Sequence, residues 1–313
     1  MSIRFHKPQI VLKRKNYKQF KQIAKSGWVC SGNYVSALEE RFTEMTGVKF
    51  AIACSSATQG LIIALRAVGV KGKKVALPAF TWGSTLYAIE CAGGIPVLCD
   101  IDRKTWQMIL PKGVDFAVPV DIFGNQYPKI DVPAVYDAAH GFELPKLGKR
   151  GQVEVVSLSF TKLITAMQGG MILTNNEELY SKMIEERDLA SKMCEFNAII
   201  ALNSLDTYYK RCATKSRIIA KYIKGIKPGV QYQLVKEHTN DSVFAIVFQS
   251  KIIRDRVADF FNRSGIEVKI YYKPLIQGLP NTDWLYNRIL ALPTYPEMEY
   301  DVPKIIELIN KSL

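Results

Sequence analysis

Residues 153–174, V-E-V-V-S-L-S-F-T-K-L-I-T-A-M-Q-G-G-M-I-L-T, constrain this chain more than any other stretch. The first half reads as a buried strand and the last six residues as a second strand entered through Gly169 and Gly170. That leaves Lys162 at a turn between two apolar walls. A strongly hydrated ammonium is costly to seat there unless its proton is shed and the amine serves as a nucleophile toward a carbonyl. The plainer reading is a lysine whose stem snorkels out of a loop. Ser157, Ser159 and Thr161 put small hydroxyls just before it, as a phosphate and a carbonyl would need, so the rest of the chain has to supply a cofactor pocket.

With 313 residues, 48% of them hydrophobic, the chain can bury a large core and divide into a large and a smaller domain. The N-terminal M-S-I-R-F-H-K-P has no apolar leader and no run approaches membrane-spanning length, so a cytoplasmic protein with no membrane partner is expected. Six cysteines occur without a C-x-x-C pair and read as reduced thiols, with no metal centre. The net charge of +13 is compatible with nucleic acid, but lysine and arginine are spread along the chain, and an anionic substrate explains the charge equally well. The densest basic run, residues 13–25, falls on a helical pattern with Ile10, Tyr17, Phe20 and Ile23 facing inward and the charges on a solvated face.

In chain order, an amphipathic helix over residues 34–46 ends at Gly47, and residues 50–54 form a short buried strand. The strand breaks into the turn Ser55, Ser56, Ala57, Thr58, Gln59, Gly60 and continues as an apolar helix over 61–68. Strand, small polar turn and helix start together make an anion site, although serine and threonine also cap helices that bind nothing. Further strands are expected at 74–77, 96–99, 116–120 and 132–136, the last leading into Asp137, Ala138, Ala139 and His140. Alternating strands and helices predict an α/β fold with a mostly parallel sheet and ligand groups at the strands' carboxyl ends. A long helical stretch is expected from 175 to about 224, and a strand, helix, strand pattern over 243–248, 251–264 and 267–272 marks a smaller α+β domain. The boundary falls between residues 1–205 and 206–313.

Gathered in one pocket, Lys162, Asp137, the 55–60 turn and Trp82 would make a site for pyridoxal 5′-phosphate (PLP). The lysine would hold the cofactor covalently, a carboxylate would keep the pyridine nitrogen protonated, and an indole would stack on the ring. Each residue has a plainer role as well: Asp137 as a strand-end cap, Trp82 as core, His140 as a turn histidine.

The chain resembles the DegT/DnrJ/EryC1/StrS family of sugar aminotransferases, which have the aspartate aminotransferase fold (PLP-dependent transferase fold type I, with a seven-stranded sheet). The resemblance runs nearly end to end through S-G-W-V-C-S-G, C-S-S-A-T-Q-G-L, L-P-A-F-T-W-G-S-T, G-G-I-P-V-L-C-D-I-D, P-V-D-I-F-G-N, Y-D-A-A-H, S-L-S-F-T-K with Q-G-G, K-M-C-E-F-N-A, I-Y-Y-K-P-L and L-P-T-Y-P. It implies Lys162 as the cofactor lysine and proton shuttle and Asp137 as the pyridinium partner. His140 would lie near the cofactor's phenolic oxygen and Trp82 would stack on its ring, with Ala57, Thr58 and Ser157 on the phosphate; Trp28 and Tyr271, with Asp121, are expected on loops toward the substrate that no motif fixes. It further implies a homodimer with a shared active site that moves the amino group of glutamate to a nucleotide-diphosphate keto sugar, most simply a 4-keto-6-deoxy hexose.

The chain departs from the family's pattern at Ala57 for glycine, Asp121 for histidine, Gln168 for glutamate and Ala190 for an asparagine that reaches the partner's phosphate, and it is compact for the family. With Ala190 unable to donate a hydrogen bond, a cation or a backbone N–H near the start of the next helix, around Ser191 and Lys192, is expected to compensate; Lys192 is the nearest candidate, and a solvated helix residue is the plainer reading. The family's dehydratase branch replaces the cofactor lysine with histidine, and Lys162 argues against it. A non-catalytic relative that binds PLP or a sugar nucleotide is the alternative from another class.

Overall fold

A computed structural model describes residues 2–313. The chain enters through helices α1 (Arg14–Ser26) and α2 (Asn33–Thr46), then alternates β1 (Phe50–Cys54), α3 (Ala57–Ala67), β2 (Lys74–Pro78), α4 (Gly83–Cys91) and β3 (Ile95–Cys99). Strands β4 (Phe116–Ala117), β5 (Val135–Asp137), β6 (Val153–Ser157) and β7 (Gly170–Thr174) follow, then helices α5 (Glu177–Ala190), α6 (Glu195–Asp206) and α7 (Tyr208–Gly225). The chain ends with β8 (Val230–Tyr232), β9 (Phe244–Phe248), α8 (Lys251–Arg263), α9 (Pro280–Tyr286), β10 (Ile289–Leu292) and α10 (Val302–Ser312).

Two ladders, β3-β2-β4 and β1-β7-β6-β5, meet through parallel bridges at Ala117 with Ala134 and Val120 with Asp137. The joined sheet runs 3-2-4-5-6-7-1, and β7 alone runs against the others. β6 and β7 are buried at every position, as strands covered by helices on both faces must be. Helix α3 lies directly on them: a Cβ at Gly60 would come within 2.9 Å of Val155 Cγ1. A separate core gathers Ile218 and Tyr222 of α7, Ile246 and Phe248 of β9, Phe261 of α8 and Ile305 of α10 around the antiparallel sheet β10-β9-β8, and takes in Ile3 from the start of the chain. Among the described residues no helix is long and apolar enough to cross a membrane.

Four sequence expectations are corrected. The long helical stretch over 175–224 is three helices: residues 191–194 are drawn out straight to bond with Ser55 and to bridge Cys54 and Cys30, and Thr207 separates α6 from α7. The strand over 267–272 is reduced to a bridge from Lys269 to Ala291, since Glu267 N is taken by Ile3 O. Residues 132–134 are left outside β5, which begins past Pro133; that residue has no backbone N–H to donate and joins the sheet only through its carbonyl, which accepts from Ala117 N at 3.0 Å. On α1, Tyr17 is 66% exposed and Ile10 precedes the helix; the inward face is set by Ile23 and by Asn16, whose amide oxygen accepts from Asn203 Nδ2 at 2.8 Å.

Candidate active site

The carboxyl ends of β1, β2, β5 and β6 open into one cavity of about 460 Å³. Ala57, Thr58, Trp82, Asp137, His140, Ser157, Lys162 and Tyr271 all line it, together with Gln168. Trp28 does not: it is 67% exposed in the link between α1 and α2, outside the cavity of its own chain.

At the phosphate-turn end, Ser56 caps α3, its Oγ accepting from Gln59 N at 3.2 Å. Ala57 and Thr58 are the first helical residues, so their N–H groups have no carbonyl one turn back within the helix and bear the positive end of its dipole. β7 passes close beneath this start: a Cβ on Gly170 would stand 2.6 Å from Ala57 N, so the glycine there is a requirement of space. Ser55 is tied from behind, its N–H donating to Ser191 O at 2.9 Å and its hydroxyl lying 2.8 Å from Ser191 Oγ. Lys192, in the same link, is exposed, and its backbone bridges Cys54 of its own chain. The expected helix start at residues 191–192 is therefore corrected to Glu195, whose buried carboxylate accepts from Gly32, Tyr34 and Val35 N–H and so caps α2.

At the floor, Asp137 ends β5 and is sealed from solvent. Its Oδ2 accepts from Thr85 Oγ1 at 2.7 Å and its Oδ1 from Ala139 N at 3.1 Å. Burial raises its pKa, and those two hydrogen bonds, with the charge of Lys162, oppose the rise. Lys162 Nζ lies 2.8 Å from His140 Nε2, and His140 Nδ1 lies 2.7 Å from Ser242 Oγ. Burial brings the Lys162 ammonium down to about 8, against the pull of Asp137. His140 is held well below the usual imidazole value by burial and then by the positive charges of Lys162 and Lys215. A neutral imidazole facing an ammonium must accept through Nε2, which places its proton on Nδ1, donated to Ser242. Tyr272 closes this wall, its hydroxyl 3.3 Å from His140 Nε2 and its ring 6.1 Å from that of Trp82. Trp82, at the N-cap of α4, is 63% exposed at the cavity mouth.

Sequence reasoning passed over Thr85, Tyr272, Ser242 and Lys215. The first two stand inside quoted motifs, Thr85 three residues past Trp82 and Tyr272 beside Tyr271. The other two carry no local signal. Asp121, the position of the family's histidine, is fully buried in a bidentate pair with Arg150 and stays out of the cavity.

The DegT/DnrJ/EryC1/StrS aminotransferase family model matches residues 11–310. Three solved structures are similar throughout. DesI, crystallised in the presence of its TDP-sugar product, is 24% identical with a TM-score of 0.88, over 99% of this chain and 92% of that one. NtdA from Bacillus subtilis, with bound cofactor PMP, is 22% identical with a TM-score of 0.86, over 99% and 85%. PseC from Helicobacter pylori, an aminotransferase involved in the biosynthesis of pseudoaminic acid, is 18% identical with a TM-score of 0.88, over 100% and 99%. These likenesses establish the fold.

Proposed function

The chain belongs to the DegT/DnrJ/EryC1/StrS aminotransferase family, and from that premise we propose that it is a PLP-dependent enzyme moving the amino group of glutamate onto a keto group of a nucleotide-linked sugar, with a 4-keto-6-deoxy hexose as the simplest acceptor. The observation that carries the reading is the gathering of half-buried Lys162 and His140 beside buried Asp137 at the carboxyl ends of the strands.

The donor set fits the cofactor. Helix-start N–H groups at Ala57 and Thr58 with the Ser157 hydroxyl, all lining the cavity, suit a phosphate. Asp137 suits a pyridinium, since a buried carboxylate of raised pKa gains from a cationic partner. When bound, PLP supplies an electron sink that makes the bonds to the amino-bearing carbon labile. Lys162 would hold it through Nζ, and with a pKa of about 8 that amine can take up and return a proton near neutral pH. His140 accepts at Nε2 and keeps Lys162 directed into the cavity, while Trp82 and Tyr272 narrow the mouth.

A homodimer that shares the site belongs to the same reading. Trp28 is exposed and outside its own chain's cavity, as a residue completing a partner's site would be. Residues 206–313 are read as the smaller domain, in keeping with the core of their own around β9. A non-catalytic relative gains no support, since the lysine, the carboxylate and the phosphate turn are all in place around the cavity.

The test is turnover of a panel of keto sugar nucleotides with glutamate, read by mass spectrometry. It is paired with borohydride trapping of the cofactor, expected on Lys162 and absent in Lys162→Ala. Trapping on another residue, or no amino sugar from any nucleotide sugar, refutes the reading.

A further inference from the structure

One cation in the cavity has no task in the site described above. Lys215 on α7 lines the same cavity as Lys162 and His140. Its Nζ donates to Ser242 O at 2.5 Å, its one hydrogen bond among the described residues, so an ammonium with three donors has most of them unanswered. No carboxylate among the described residues closes an ion pair with it: Asp241 acts on it only at longer range, and its own oxygen is engaged with Thr239. The neighbouring groups are spoken for. Arg211, one turn earlier on α7, gives its guanidinium to Leu163 O, Ser204 O, Ser204 Oγ and Thr207 Oγ1. His6, which also lines the cavity, meets Phe160 O through Nε2. Lys215 is half-buried, and that burial brings it down to about 8 against the pull of Cys212 and Asp241.

An anionic ligand would supply the missing acceptors, and the position of Lys215 says which anion. Lys215 Nζ bonds Ser242 O, Ser242 Oγ meets His140 Nδ1, and His140 Nε2 meets Lys162 Nζ. The unanswered ammonium is thus joined to the proposed reactive amine through two residues. An α-amino acid carries its carboxylate on the carbon that bears the nitrogen to be transferred, so its anion stays on the wall of the cavity that Lys215, Ser242, His140 and Lys162 share. The diphosphate of a nucleotide sugar is held away from the reacting carbon by the sugar ring. We propose that Lys215 Nζ binds the α-carboxylate of the amino donor and is a specificity residue for amino acids over amines that lack a carboxylate. This rests on the aminotransferase reading above.

The experiment uses the PLP-loaded enzyme and α-methyl-L-glutamate, which keeps the carboxylate but has no α-hydrogen to lose. Its binding is measured by calorimetry in wild type, Lys215→Gln and Lys215→Arg, beside the two half-reactions followed by cofactor absorbance. Lys215→Gln is expected to keep the cofactor spectrum and to weaken α-methyl-L-glutamate by at least about tenfold, the scale of one charge-assisted hydrogen bond. Lys215→Arg, which keeps the charge, is expected to recover part of that loss. Equal affinity in wild type and both variants overturns the proposal. So does a Lys215→Gln enzyme in which only the keto-sugar half-reaction falls, because the anion is then the nucleotide's diphosphate. A wild type that fails to react with glutamate at all refutes the aminotransferase reading itself, whereas a reactive wild type matched by Lys215→Gln refutes only the role of Lys215.

Discussion

Arg150 and Asp121 meet in a bidentate ion pair sealed from solvent, Nη1 to Oδ1 at 2.7 Å and Nη2 to Oδ2 at 2.8 Å. Glu154 of β6 takes the other edge of the guanidinium, and the Tyr136 ring lies 4.7 Å from its centre. The pair bears on the site through the backbone. Asp121 N donates to Asp137 O at 3.1 Å, and a Cβ on Gly141 would stand 2.5 Å from Asp121 Oδ2. Asp121 therefore buttresses the loop that carries both Asp137 and His140.

Replacing Arg150 with methionine leaves two buried carboxylates without their counter-charge. The expected loss is about 3–5 kcal/mol of folding stability, the scale for breaking one side of a buried ion pair. Denaturant unfolding of the apoprotein measures it. A loss below about 1 kcal/mol, the range of exposed pairs, would mean that the guanidinium is not holding this junction.

The glycine pair at the entrance to β7 allows a matched comparison. A Cβ on Gly170 would lie 2.6 Å from Ala57 N and 2.7 Å from Ser56 C, both backbone atoms that cannot step aside without moving the start of α3. A Cβ on Gly169 would meet Met193 Cε at 2.7 Å, the far end of a flexible side chain. Gly170→Ala is expected to cost about 1–3 kcal/mol, as overpacking does, and to weaken PLP binding by about tenfold or more because the N–H groups of Ala57 and Thr58 shift. Gly169→Ala should leave the PLP dissociation constant nearly unchanged. Equal effects of the two would remove the argument that β7 shapes the phosphate turn.

Asp137→Asn keeps the shape of the floor and removes its charge. The glutamate half-reaction is expected to slow by at least about 100-fold, or about 2.7 kcal/mol, because a neutral amide cannot hold a proton on the ring nitrogen through a charge-assisted bond. Stopped-flow absorbance of the cofactor reads this directly. Near wild-type rates would assign Asp137 to capping Thr85 and Ala139 only.

Much of this site was legible because each part is local. Asp137 and Ser157 end apolar strands, Ala57 and Thr58 open an apolar helix, and Lys162 sits between two buried strands, so burial and polarity change within a few residues of each. The contacts that tune those groups were not legible. Ser242 lies 102 residues from the His140 it orients, and Lys215 reaches the cavity from a helix whose own pattern reads as a charged surface. The breaks at 191–194 and 267–272 were hidden for the same reason, since hydrogen bonds to Ser55 and Ile3 overrode the local pattern.

The pH dependence of the apoprotein tests the burial of Lys162. Its ammonium titrates at about 8 in the folded chain, against about 10.4 for an unperturbed lysine when the chain unfolds. Below pH 8 both states hold the proton and the whole cost of burying the charge is present. Between about 8 and 10.4 the unfolded chain binds more protons, so this group's contribution to stability rises with pH, by at most about 1.4 kcal/mol per pH unit. Buried Cys54, pushed up to about 12, acts with the opposite sign in the same window: it keeps its proton when folded and loses it when unfolded. Lys215, brought down to about 8, adds to the rise, and Cys99, pushed up to about 11, adds to the fall, so the raw stability of the wild type mixes several groups. The difference between wild type and Lys162→Met cancels the groups the two share and is expected to climb from pH 8 to 10 in favour of the wild type. A difference that stays flat across the window would show that Lys162 reaches water, and its assignment as the cofactor lysine would lose its electrostatic support.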